Sequence, residues 1–172
     1  MLWASVTFSG MPAMRVAILF LCSLLLSACW QVKEPVVARG VKVDGLADGL
    51  YQRSDGSEVM IRWNGGQGRY DVGMTGGAAR VAPLGGGLFL VDYSDAVRLA
   101  VVARIEDGTM VIEAPTPAAE ERLAMAHGLS LRHGPVRVLA GTPEAVRALA
   151  ADVASLAGTG ELVETDRLTR IR

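Results

Sequence analysis

The chain has 172 residues, 51% of them hydrophobic, with 17 Lys+Arg against 18 Asp+Glu and a formal net charge of −1. That length predicts one domain, and the balanced charge excludes a nucleic-acid surface or a face built for strongly anionic lipid. Cysteine is limited to Cys22 and Cys29 and histidine to His127 and His133, too few for a disulfide framework or a His/Cys metal shell.

In chain order, the first feature is an apolar run over residues 16–26, broken only by Cys22 and Ser23 and preceded by the single positive charge of Arg15. Such a run suits the hydrophobic segment of a signal peptide and falls short of the roughly 20 residues that cross a bilayer. It ends in Leu26-Ser27-Ala28-Cys29: an apolar residue, two small residues that can enter a narrow peptidase cleft, then a thiol. Residues 1–13 hold no basic residue, so Met11 and Met14 compete with Met1 as the start.

This stretch resembles the signal of bacterial lipoprotein precursors, over about the first 29 residues only. The resemblance implies a signal peptide over residues 1–28, cleavage before Cys29, a lipid thioether there, and a further acyl group such as palmitate on the new amine. In enteric-type bacteria aspartate directly after the lipidated cysteine favours the inner membrane. Trp30 holds that sorting position, so the resemblance implies the periplasmic face of the outer membrane, with the inner membrane as the alternative. An ordinary secretory signal and an uncleaved anchor are the competing readings. Cleavage would remove Cys22 and block Cys29, leaving a domain with no disulfide that its core alone must hold.

Residues 29–48 mix charges, Pro35 and glycines, and read as a lipidated tether with a short strand at residues 41–43 and a turn at Asp44-Gly45. The aspartates of this stretch lack the loop spacing of a calcium site. Residues 49–172 form the single β-rich periplasmic domain. Val59, Ile61 and Trp63 alternate with Glu58, Met60 and Arg62, which places the first three on one face of a strand. Tyr70, Val72 and Met74 share a face of the next. Residues 88–91 are apolar on both faces, the pattern of a strand covered on both sides. Val97, Leu99, Val101, Ala103 and Ile105 make the longest alternation, and Asp107-Gly108 turns the chain into the strand after it.

Six or seven strands joined by short turns predict a mainly β (α+β) fold, a curled antiparallel meander or small barrel. One or two C-terminal helices follow. Thr116 and Pro117 open the first, which stops at Gly128. Thr142 caps the second, over residues 143–157, with Val146, Leu149, Val153 and Leu156 on one stripe. Short strands are expected at residues 129–132 and 136–139 and a last one within residues 161–172.

No catalytic residue stands out. The serines lie in turns or near element ends, outside any nucleophile elbow, and the carboxylate pair Asp92 and Asp95 suits a solvated turn. The glycine clusters at residues 65–66 and 85–87 lack the lysine of a phosphate loop. Glu120 or Glu121 would be needed to complete a histidine metal site, and no metal or cofactor is implied. Tyr51, Trp63, Tyr70, Phe89 and Tyr93 are the main apolar bulk of the sheet; they are candidate binding aromatics if they line a pocket and core residues otherwise. The sequence therefore predicts a membrane-anchored, non-catalytic lipoprotein with a binding or envelope-support role. The alternatives are a carrier for a small apolar ligand and, third, an envelope hydrolase. Its partners would be the membrane, through the N-terminal lipid, and an envelope protein or that ligand.

Overall fold

The computed structural model describes residues 29–74, 76–134 and 136–172; the expected signal peptide lies outside them. Seven consecutive strands form an antiparallel meander: β2 (Gly49–Arg53), β3 (Glu58–Asn64), β4 (Arg69–Val72), β5 (Gly77–Gly85), β6 (Leu88–Ser94), β7 (Arg98–Glu106) and β8 (Thr109–Pro115). The expected tail strand, β11 (Leu162–Arg170), pairs with β8 on one side and β2 on the other, which closes the meander into an eight-stranded barrel. The expected six or seven strands are the meander alone. The eighth is separated from β8 by both helices, so adjacency along the chain does not reveal the closure.

The period-2 patterns decide which residues point inward. Ile61, Val81, Val91, Val101, Ala103, Ile105 and Leu168 fill the interior, together with Tyr51 and Tyr70. On β7 the other face, Ala100 and Val102, joins Leu88 and Leu90 of β6 in a second core outside the barrel. Strand β6 is thus covered on both sides, as its doubly apolar sequence requires. Asp107 and Gly108 both adopt positive φ, 46° and 77°, the conformation of a two-residue turn whose twist matches the flanking strands.

The outer core is roofed by α1 (Pro117–Ala126) and α2 (Pro143–Ala154). Thr142 caps α2, its hydroxyl accepting from the Ala145 N–H at 3.3 Å, and Val146, Leu149 and Val153 are buried on the predicted stripe. Thr116 starts α1 without a side-chain cap bond. Glu120, the acid of its first turn, is fully buried.

Two short strands, β9 (Ser130–Arg132) and β10 (Arg137–Ala140), form a ribbon with β1 (Trp30–Gln31). Strand β7 changes partner along its length. It pairs with β8 from Val102 to Glu106, and with β1 at Leu99 and Ala100. The chain after Cys29 therefore enters the barrel wall where β7 and β8 diverge.

Residues 29–48, expected as a tether, form a strap packed on the barrel. Trp30, Val32, Val36, Val37, Val43 and Leu46 are all buried, while the charged residues between them are exposed. The expected strand at residues 41–43 does not form. Side chains from distant strands take the strap's donors instead: Asp92 accepts from Val36 N–H (2.8 Å) and Val37 N–H (3.1 Å), and the Tyr70 hydroxyl from Val43 N–H (2.8 Å). Gly40 lets the strap lie against β5, since a Cβ there would stand 2.7 Å from the Val81 nitrogen.

Candidate functional site

The two ends of the barrel differ. One end holds the β3–β4, β5–β6 and β7–β8 turns, and there the strap folds over the opening with Val43 and Leu46 packed into the interior core. Tyr51 donates its hydroxyl to the Ala47 carbonyl at 2.7 Å, and Tyr70 receives the Val43 N–H. Burial pushes both phenols above their ordinary pKa. Trp63 packs on Tyr70 with ring centroids 4.8 Å apart and planes tilted by 60°. Tyr51 and Tyr70 are fully buried, so these two candidate binding aromatics hold the cap and the core. Trp63, Phe89 and Tyr93 are partly buried against the same interior cluster. All five belong to one core.

The opposite end carries the β2–β3, β4–β5 and β6–β7 turns and a polar cluster. Arg53, the last residue of β2, holds Asp166 through Nη2 at 2.5 Å and Nε at 3.0 Å. Burial works to lower the Arg53 pKa, yet the Asp166 carboxylate more than offsets it and the guanidinium is raised. Asp166 is buried, and its other oxygen accepts from the Arg167 N–H at 2.8 Å.

Cys29 is half-buried beside this pair, against the interior core. Burial pushes its thiol up to about 11, with Arg53 pulling it down and Asp166 adding to the rise. A thiol of that pKa is almost wholly protonated at neutral pH, when the thiolate is the nucleophile and metal ligand. Tyr93 is raised by burial first and by Asp95 next, toward whose carboxylate its hydroxyl points at 3.5 Å.

Trp30, the residue at the sorting position, is 2% exposed and points to the other side of the wall, into the outer core. Its indole N–H donates to Glu120 at 2.6 Å, and Arg137 donates to the same carboxylate at 2.7 Å. Asp92, expected with Asp95 in a solvated turn, is instead fully buried within β6, and it and Glu120, whose role sequence reasoning missed, are the two buried carboxylates that fasten the strap. Asp92 also pairs with Arg98 at 2.6 Å. Its place in an otherwise apolar strand, LFLVDYS, was the available signal.

Among the described residues, a cleft at the capped end is lined by Gly45, Asp107 and Arg170, and two more lie along the outside of the barrel. One, lined by Val32, Val36, Leu139 and Val146, runs between the strap and α2. The other crosses β7, β8 and β11, where Arg104 pairs with Glu113 and Arg167 with Glu164. The histidines are separately engaged, His127 with Asp152 at 2.8 Å and His133 with Glu121 at 3.5 Å. Among the described residues no group of three or more His, Cys, Asp and Glu is arranged to hold a metal ion. No described helix is long and apolar enough to cross a membrane. No family model, curated protein or solved structure matches the chain.

Proposed function

We propose that this β-barrel protein is a lipid-anchored component of the bacterial envelope that works by binding rather than by catalysis. The anchor reading is supported by Leu26-Ser27-Ala28-Cys29 after a short apolar run. The observation that carries it further is where the barrel closes: strands β2 to β8 and β11, all within residues 49–170, pair into a complete wall, so the wall needs no residue of the segment that a signal peptidase would remove.

Binding is favoured over catalysis by the chemistry at the Cys29 end. A lipidated Cys29 carries no free thiol, and Arg53 is committed to Asp166. An eight-stranded barrel is just wide enough to be filled by side chains or to hold one small ligand. Here Tyr51, Tyr70, Val81 and Leu46 occupy the interior, each at most 1% exposed. That favours recognition on the outer surface over carriage inside.

Labelled palmitate supplied to cells should enter the wild-type protein and not Cys29→Ala, and the wild type should fractionate with the outer membrane. Equal labelling of the two proteins would reject the anchor. Turnover of an envelope substrate, abolished by a single acidic or hydroxyl substitution, would replace the binding role with an enzyme.

A further inference from the structure

We propose that the barrel end bearing Cys29 is the membrane-contact surface of the anchored protein, with Met74 and Val97 entering the headgroup region of the bilayer. This rests on the lipid-anchor reading of Cys29 and adds an orientation to it.

The first support is the lack of slack. A flexible linker of the length of residues 29–48 would let the domain range over about 25 Å. The strap removes that freedom. Trp30 is paired to Ala100 of β7 on one side and Arg137 of β10 on the other, and is hydrogen-bonded to Glu120. A lipid on Cys29 therefore stands about one residue, roughly 3.5 Å of chain, from the rigid body. Cys29 extends the register of Trp30 toward Val101 and packs against the interior core beside Arg53, while the other end is filled by Val43 and Leu46. An acyl chain on it must leave through the end that Arg53 borders and brings that end down to the bilayer.

The second support is what surrounds it. The Arg53–Asp166 pair beside Cys29 lies at the end that carries the β4–β5 and β6–β7 turns. Those turns are neighbours, because β5 and β6 pair through Ala78 and Ser94. Each presents an apolar side chain to solvent: Met74 is 97% exposed and Val97 46%. Val163, near the start of β11, is a third at that end. Apolar side chains on loop tips gain free energy on entering an interface, at about 25 cal/mol per Å² removed from water.

Charge points to the kind of surface. The arginines at this end, Arg53 and Arg98, are held by Asp166 and Asp92, and the exposed Lys33, which follows the Val32 N–H bonded to the Arg98 carbonyl, is set against exposed Glu34, Asp55 and Asp95. With no excess of positive charge, the contact fits a largely zwitterionic headgroup surface.

The test uses the full precursor, matured in cells and reconstituted into vesicles. With Cys22 removed and Cys29 blocked by lipid, Met74→Cys and Val97→Cys each offer one thiol for an environment-sensitive fluorophore. Val41→Cys and Ile171→Cys, at the capped end, serve as controls. In phosphatidylethanolamine vesicles with a minor phosphatidylglycerol fraction, spin-labelled lipid should quench positions 74 and 97 several-fold more than 41 and 171. Raising the phosphatidylglycerol fraction should leave that contrast unchanged. Equal quenching at all four positions, or none at 74 and 97, would overturn the orientation. Shielding of 74 and 97 accompanied by disulfide capture between two copies would overturn it too, in favour of a self-association face. Mass spectrometry of the amino-terminal peptide separates the two levels: an unacylated Cys29 defeats the anchor reading, whereas an acylated Cys29 without the contrast defeats only the orientation.

Discussion

The indole nitrogen of Trp30 donates a 2.6 Å hydrogen bond to the carboxylate of Glu120, ninety positions along the chain. The same carboxylate holds Arg137. One buried acid thus ties the strap, helix α1 and strand β10 together, and the fold is locked at the residue that follows Cys29.

Removing that acid should be costly. Glu120→Ala leaves the Trp30 N–H and the Arg137 guanidinium without their acceptor, in a site where Arg137 is only 17% exposed. The expected loss is about 3 kcal/mol. Urea unfolding checks it, and an unchanged midpoint would show that water replaces the carboxylate without penalty.

A change of the sorting residue is also a change in the buried core. Trp30→Asp would place a second carboxylate beside Glu120 and delete a buried indole, so destabilisation by several kcal/mol should accompany any retention at the inner membrane, since burying an unpaired charge is heavily penalised. Trp30→Phe keeps most of the apolar bulk. It should remain folded and reach the outer membrane, as cell fractionation together with thermal unfolding would report.

Asp92 fastens the middle of the strap. Asp92→Ala removes the partner of Arg98 and the acceptor for the Val36 and Val37 N–H groups. The expected destabilisation is about 3 kcal/mol. In hydrogen exchange the amides of Val36 and Val37 should lose protection before those of β6. Uniform loss across the barrel would mean that the strap has no separate opening step.

Leu149 sits wholly buried on the α2 stripe. Leu149→Ala should cost about 3 kcal/mol through lost transfer energy and the cavity left behind. Chemical denaturation with an unchanged slope is the readout.

The Cys29 thiol gives a pH signature to the unlipidated protein. Its folded pKa, raised from 9.0 to about 11, means the folded state keeps a proton that the unfolded chain has released between those values. Stability should therefore fall as pH rises from about 9 to about 11, because ionisation favours the unfolded state there. Cys29→Ala should lack this component. Alkylation of the native thiol at pH 8 should be slow beside that of the denatured chain.

Alternation made the barrel wall legible. The β7 face that ends in Ile105 turns inward, and β6, apolar on both faces, is covered on both. The capping residues and the stripe of α2 were legible as well, because helix signals are local. The strap was not. Its buried residues, Trp30, Val32, Val36, Val37, Val43 and Leu46, follow neither period 2 nor period 3.6, and its donors are satisfied by Asp92 and Tyr70 from remote strands. The Cys29 cluster was opaque for the same reason: Arg53 and Asp166 are separated by 113 positions and meet only through β2–β11 pairing.

Closure by β11 also sets a timetable. The barrel needs a strand made after both helices, and β1 needs β10 as well as β7 for its two pairings, so neither can be completed on a partly emerged chain. Contacts of such sequence separation must overcome loop-closure entropy before they return any stabilisation, which makes folding slow. Until β11 has been made, the wall around Cys29 lacks the strand that closes it and carries Asp166. The topology thereby leaves a window during synthesis in which the Cys29 thiol is not yet buried against a closed barrel.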